Sequence, residues 1–224
     1  ALQETEVKRG GEIFSPRRAC PPVHPPGFVV QYTYNKNAGD CKRRGKGFLP
    51  GKERRQESEV MAKEAKTNAM RLLEKEKVAY TAHAYPHEEG VAVDGVTVAQ
   101  SMGEDPACVF KTLVTQGASR NYFVFVIPVA AELDLKAAAR SVGEKSVAMI
   151  HVADINKVTG YIRGGCSPVG MKKQYVTVFD ASALQQEKIY VSAGRIGLQV
   201  CCAPAELIRA ARASTAALTH REGA

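Results

Sequence analysis

Apolar residues fall at helix and strand spacings in this chain only beyond Met61, and that break decides what can fold. Residues 1–60 hold six of the eleven prolines and basic clusters such as Lys42-Arg43-Arg44, with Phe28-Val29-Val30 the one apolar patch of note. A segment of that kind buries too little surface to offset the entropy of ordering it, so it is expected to be disordered. Met61-Ala62-Lys63 reads as a natural protein start, which makes 1–60 a disordered or non-native extension. That extension carries 12 Lys/Arg against 7 Asp/Glu, so most of the chain's net charge of +8 sits there. Such a charge suits a polyanionic partner such as nucleic acid, and equally a solvated basic surface. A basic RNA-binding tail is the functional reading of the segment.

Beyond Met61 the pattern is that of one domain over residues 61–215, with 216–224 as a flexible C-terminal tail. Residues 66–77 read as a helix with Thr67 a possible N-cap and Ala69, Leu72, Leu73 and Glu76 along one side. Residues 96–102 form a short helix stopped by Gly103. Asp134 can cap a third helix whose Leu135, Ala138, Ala139 and Val142 share a face, closed by Gly143. Pro204 stands well as the first residue of a last helix. Strands are expected at 78–85, 109–116, 122–129, 147–150, 175–179, 189–192 and 198–202, the second and third joined by a turn at 117–120. Strands with helices irregularly interspersed imply an α+β domain, built on a mixed, partly barrel-like sheet of about six strands.

The six cysteines form no C-x-x-C and no Cys/His group at zinc spacing, so they are read as reduced thiols with no metal. In a strand, adjacent Cys201 and Cys202 would point to opposite faces and could not share a ligand. No window approaches the roughly 18 apolar residues of a membrane span. A cytoplasmic location without membrane contact is expected.

Three segments resist a purely structural account. Val109-Phe110-Lys111-Thr112-Leu113-Val114 places a lysine in an apolar strand, where burying an ammonium is costly without a partner. The bland alternative is an outward-facing lysine. Residues 159–171, Thr-Gly-Tyr-Ile-Arg-Gly-Gly-Cys-Ser-Pro-Val-Gly-Met, form a shaped loop whose backbone can approach a ligand closely, or an ordinary surface loop. In 190–198 a strand enters a glycine-flanked turn holding Ser192, Gly194 and Arg195. Its free N–H groups could receive an anion or a carbonyl oxygen; a plain β-turn is the alternative.

In that order and spacing, the VFKTL strand, the TGYIRGGCSPVGMKK loop and the IYVSAGRIGL turn resemble the YbaK/EbsC family of tRNA-editing proteins. The resemblance covers residues 64–213, including Thr67-Asn68-Ala69 and Leu133-Asp134-Leu135-Lys136. It implies the YbaK-like fold and hydrolysis of the ester joining a wrong amino acid to the 3′ end of tRNA. A second site is needed where a synthetase pocket discriminates poorly between amino acids of similar size, as with cysteine and proline. The resemblance puts the essential lysine on Lys111 and the pocket glycine on Gly164. It puts pocket tyrosine and serine on Tyr85 and Ser192, with Phe110 and Thr112 in the same strand motif; Gly165, Ser167 and Gly194 complete the candidate substrate-binding set. Gln199 stands at the family's acidic or polar position after the turn, a departure that puts a carboxylate's role there in doubt.

From residue types, Lys111 and backbone N–H groups near Gly164-Gly165 could stabilise the oxyanion of ester cleavage. His83, His87, His151 and His220 lie outside the three motifs, so no Ser-His-Asp set is evident. The resemblance implies that the substrate's own thiol attacks the ester and expels tRNA as a cyclic thioester, a lyase-like route with no cofactor. Cys166 is a rival nucleophile. Alternatives are an alanine-removing deacylase and a non-catalytic tRNA- or synthetase-binding module. Implied partners are aminoacylated tRNA, by its 3′ end, and prolyl-tRNA synthetase.

Overall fold

The computed structural model of the chain describes residues 31–34, 41–44, 66–88 and 90–220. Helices start where short polar side chains take up the first unpaired N–H groups. Thr67 caps α1 (Asn68–Lys75) by accepting from the Met70 N–H at 3.2 Å. Asp94 caps α2 (Gly95–Met102), and Asp134 caps α3 (Leu135–Ser141). Gly103 and Gly143 then follow these helices at φ of 69° and 70°, a left-handed conformation that glycine adopts without strain. Pro204 opens α5 (Pro204–Ala211), where its missing N–H costs nothing. The sequence reading lacks α4 (Val152–Thr159). His151 at its N-cap makes no side-chain bond, and only Val158 and Thr159 are buried along it, so neither a cap nor an apolar stripe announces this helix.

Seven strands stand where expected: β3 (Tyr80–Ala84), β4 (Phe110–Gly117), β5 (Tyr122–Pro128), β6 (Val147–Met149), β7 (Val176–Asp180), β8 (Ile189–Ser192) and β9 (Leu198–Cys202). Three more were not foreseen as strands: β1 (Gln31–Tyr34), β2 (Cys41–Arg44) and β10 (Ser214–Ala216). The α+β class holds, but the strands do not form a single partly barrel-like sheet. They divide into two five-stranded sheets, ordered β2-β1-β3-β9-β8 and β10-β7-β5-β4-β6. The first is antiparallel throughout. In the second, β5 pairs antiparallel with β4 and parallel with β7. A parallel bridge between Val109 and Tyr190 joins the two sheets.

Two-sided burial explains this arrangement. Val124 and Val126 of β5 pack with Val191 and Val200 of the first sheet and with Leu73 and Leu207 of the helices. Phe123, Phe125 and Ile127, alternating on the other face of β5, pack under α3 with Ala138 and Leu218. An unbroken apolar strand is the signature of that double burial.

The first correction concerns residues 1–60. β1 pairs antiparallel with β3, Tyr32 opposite Ala82, and β2 pairs in turn with β1. The expected disorder therefore fails at these two strands. Main-chain pairing to an open strand edge needs no apolar periodicity, which is why the sequence hid it. The remainder of 1–60, and the expected start at Met61, lie outside the described residues. The second correction is at the C-terminus. β10 runs parallel to β7, and the Asp180 carboxylate accepts from the Leu218 N–H at 2.8 Å. Leu218 is fully buried, so the ordered chain extends past 215; residues 221–224 lie outside the described residues. Cys108, Cys166, Cys201 and Cys202 are free thiols. Among the described residues no helix is long and apolar enough to cross a membrane.

Candidate active site

Where the two sheets meet, a cavity of about 610 Å³ opens between β4, β8, β9, the start of α2 and the loop after α4. Tyr85, Phe110, Lys111, Thr112, Gly164 and Ser192, six of the residues singled out from sequence, line it together. Lys111 is not the outward-facing lysine of the bland reading. It is partly buried, and its Nζ donates to the Val129 carbonyl at 3.0 Å. Burial pulls its pKa below the usual lysine range, while the Asp94 and Glu132 carboxylates oppose the shift.

Tyr85 follows β3 and is held by its backbone, whose N–H donates to the Gly197 carbonyl at 3.0 Å. Burial pushes its phenol upward, keeping it protonated. Ser192 ends β8, and its hydroxyl donates to the Gly164 carbonyl at 3.3 Å rather than to a base. Gly164 sits at φ +83°, and a Cβ there would come within 2.9 Å of the Ala92 Cβ and 3.1 Å of its Cα. Backbone conformation and space both demand glycine at this point.

Gln199 is opposite Ser192 on one side and His83 on the other, so the three lie on one face of the first sheet. Its Oε1 and the Thr112 hydroxyl are buried without a hydrogen-bond partner. Such atoms are costly to bury unless something pairs with them, and both residues line the cavity. Sequence reasoning noted Gln199 only as a departure from the family pattern; its burial in the wall makes it part of the site. His83, 2% exposed, is held below its usual pKa by burial and shares a 2.7 Å hydrogen bond with the Thr81 hydroxyl.

Three expected residues do not line the cavity. Gly165 uses its N–H on the Ile162 carbonyl at 3.0 Å, so that N–H is not free for an oxyanion. A Cβ on Gly165 would stand 2.8 Å from the Arg195 backbone, so glycine here lets the loop pack on the turn. Gly194, at φ +96°, makes room for the Tyr161 ring. Ser167 is fully buried with an unpartnered hydroxyl. All three shape the loops behind the wall.

Other lining residues carried no role in the sequence. Asp94 was hidden because its signal is that of a helix cap, which it is: its Oδ2 accepts from Val96 and Thr97. Arg163 stands exposed at the cavity. Met149 and Val152, 49% and 56% exposed, form an apolar lip supplied by β6 and the unforeseen α4. Cys166 also reaches the cavity, but burial pushes its thiol up to about 12, with the Thr159 hydroxyl opposing. No group of three or more His, Cys, Asp or Glu could hold a metal ion among the described residues.

Comparison with known proteins adds to this geometry. Residues 90–210 match the family model of the aminoacyl-tRNA editing domain. A proposed Cys-tRNA(Pro)/Cys-tRNA(Cys) deacylase, EbsC, of Enterococcus faecalis is 43% identical over 157 residues, covering 70% of this chain and 95% of that relative. A solved structure described as a proposed trans-editing enzyme for prolyl-tRNA synthetase is similar with a TM-score of 0.60 and 22% identity, over 69% of this chain and 96% of its own. A hypothetical protein designated APE2540 gives 0.62 and 21%, over 69% of this chain and all of its own. At those identities the structural likeness speaks to fold.

Proposed function

The chain belongs to the family of aminoacyl-tRNA editing domains, and from that premise we propose that it is a freestanding deacylase that removes cysteine mischarged on proline tRNA. The observation that carries the reading is a partly buried ammonium, Lys111, at a cavity whose wall holds the unpartnered polar atoms of Thr112 and Gln199. Ester cleavage places negative charge on the former carbonyl oxygen, and a fixed cation stabilises that charge most where water is excluded. Lys111 takes this role. Thr112 Oγ1, Gln199 Oε1 and the Gly164 carbonyl offer acceptors for the aminoacyl ammonium.

The substrate supplies the nucleophile. The cysteine thiol gives up its proton to solvent water, and the sulfur attacks its own ester carbon. The tetrahedral species collapses by breaking the bond to the ribose oxygen, which takes up a proton and leaves with the tRNA. Water then opens the four-membered cyclic thioester to free cysteine. Such a reaction needs positioning and charge from the protein rather than a base or a nucleophile. Cys166, held as a thiol by burial, is a poor rival.

Deacylation measured on Cys-, Ala- and Pro-charged proline tRNA tests the proposal. Cysteine should be released and proline spared; equal release of alanine would sink the thiol route, because alanine has no thiol. Transient complex formation with prolyl-tRNA synthetase and a cytoplasmic location complete the proposal. The first is checked by co-sedimentation of the chain with synthetase and tRNA.

A further inference from the structure

A second cavity, of about 420 Å³, adjoins the first, and Met149 and Ile150 belong to the walls of both. One face of β4 runs through the two. Thr112 and Val114 line the first cavity, and Gln116, next on that face, lines the second beside its cross-strand partner Ala148.

The second cavity is furnished unlike a core void. Tyr122 lies in its wall, braced edge-on against Tyr175 at 6.1 Å between ring centroids. Met149, half exposed on the edge strand β6, stands at the boundary with the first cavity. Ser146, His151 and Asp154 add polar groups at the rim, and the side chains of His151 and Asp154 are exposed. An aromatic face with polar groups around it is the environment that holds one splayed nucleobase.

We propose that this cavity is a subsite for the base preceding the aminoacylated adenosine, the penultimate cytosine of the tRNA CCA end. The inference rests on the deacylase reading above. With the ester at Lys111, the preceding nucleotide has to leave the first cavity, and the shared Met149–Ile150 wall leads it into the second. Tyr122, on the face of the sheet that it shares with Gln116 and Ala148, stacks on the base. Asp154 accepts from the exocyclic amino group, a donor that cytosine has and uracil lacks.

Cysteinyl esters of adenosine, of the dinucleotide CpA and of UpA test the subsite. For the wild-type chain, kcat/KM should be about tenfold or more higher for CpA than for adenosine, the order expected of one base stacked on an aromatic ring, with UpA between them. Tyr122→Leu should bring both dinucleotides down to the adenosine level and leave the adenosine ester unchanged. Asp154→Ala should make CpA and UpA alike. Equal treatment of the three esters by the wild-type chain overturns the subsite, as does a Tyr122→Leu chain that loses all three substrates in parallel. If the wild-type chain cleaves none of these esters and no charged tRNA either, the deacylase reading falls and takes the subsite with it.

Discussion

Replacing Lys111 by methionine tests the proposed chemistry with the least disturbance of packing, because methionine keeps an unbranched stem of similar length. The change removes a charged hydrogen bond to the Val129 carbonyl, an interaction worth roughly 1.5–3 kcal/mol. It also removes an ammonium that burial disfavours, as the lowered pKa of Lys111 shows. Val129 lines the cavity, so its freed carbonyl can turn to water there. These opposing effects leave a net change of at most about 1 kcal/mol, and so a Tm shift no larger than about 2–4 °C for a chain of this size. The pH dependence has a definite sign. A lysine with a depressed folded pKa costs stability fully below that value, and the cost fades as pH rises through the window up to the unfolded value. Lys111→Met should therefore look most favourable, relative to wild type, at neutral pH and lose that advantage in alkali. Catalysis should fall far more, by about 10²–10³ in kcat, with KM for tRNA little changed. Single-turnover deacylation of Cys-tRNA and thermal melts read the two effects separately. A folded Lys111→Met chain that keeps more than about a tenth of the wild-type rate removes Lys111 from the chemistry.

Gly164→Ala should cost about 1–2 kcal/mol for the left-handed backbone alone, and more for the approach to Ala92, giving a lower Tm and a slower reaction; an unchanged melt contradicts the geometry. Cys166→Ala should keep the deacylation rate, and its loss in a chain that still folds would make Cys166 the nucleophile. Dialysis against EDTA should leave activity intact, and a rate lost there and restored by zinc would replace the proposed mechanism with a metal-assisted one. A chain shortened to begin at Met61 should melt lower, since the edge of β3 loses its β1 partner, yet keep its turnover number. KM for tRNA should rise, with a flatter salt dependence, where the basic extension meets phosphate.

Much of this fold was legible because its signals are local. Thr67, Asp134 and Pro204 stand at helix starts, and each does what its residue type allows there. Phe123 to Ile127 read as a strand, and the double burial of that strand accounts for the lack of alternation. What stayed hidden depends on partners far away in sequence. β1 is defined by the edge of β3, and β10 by Asp180 and the parallel edge of β7. The site divided in the same way. Lys111 betrayed itself by being a charge in an apolar strand, and Gly164 by the density of glycines around it. Gln199, Asp94 and Met149 carry ordinary local meanings, and only the junction of the sheets gives them a common cavity. Gly165, Ser167 and Gly194 belong to the same motifs as the lining residues; a motif marks a shaped loop and does not say which of its residues face inward.

The protonation states around the cavity bear on where a nucleophile can come from. Burial holds Tyr85 protonated, Cys166 as a thiol and His83 below its usual pKa, each by disfavouring the charged form. Ser192 donates to a carbonyl, so no base draws off its proton. Asp94 carries a carboxylate, but its Oδ2 is taken by two N–H groups at the start of α2. A hydrolase that relied on its own nucleophile would need one of these groups activated by a neighbouring base, and burial acts against that at Tyr85 and Cys166. What the proposal calls on is the charge of Lys111 beside the neutral polar groups of Thr112, Ser192 and Gln199, a setting that favours an oxyanion over the uncharged ester preceding it. An amino acid carrying its own thiol completes such a site, whereas one without a thiol leaves it lacking a nucleophile. On the proposed thiol route, selectivity for cysteine over proline and alanine follows from reactivity.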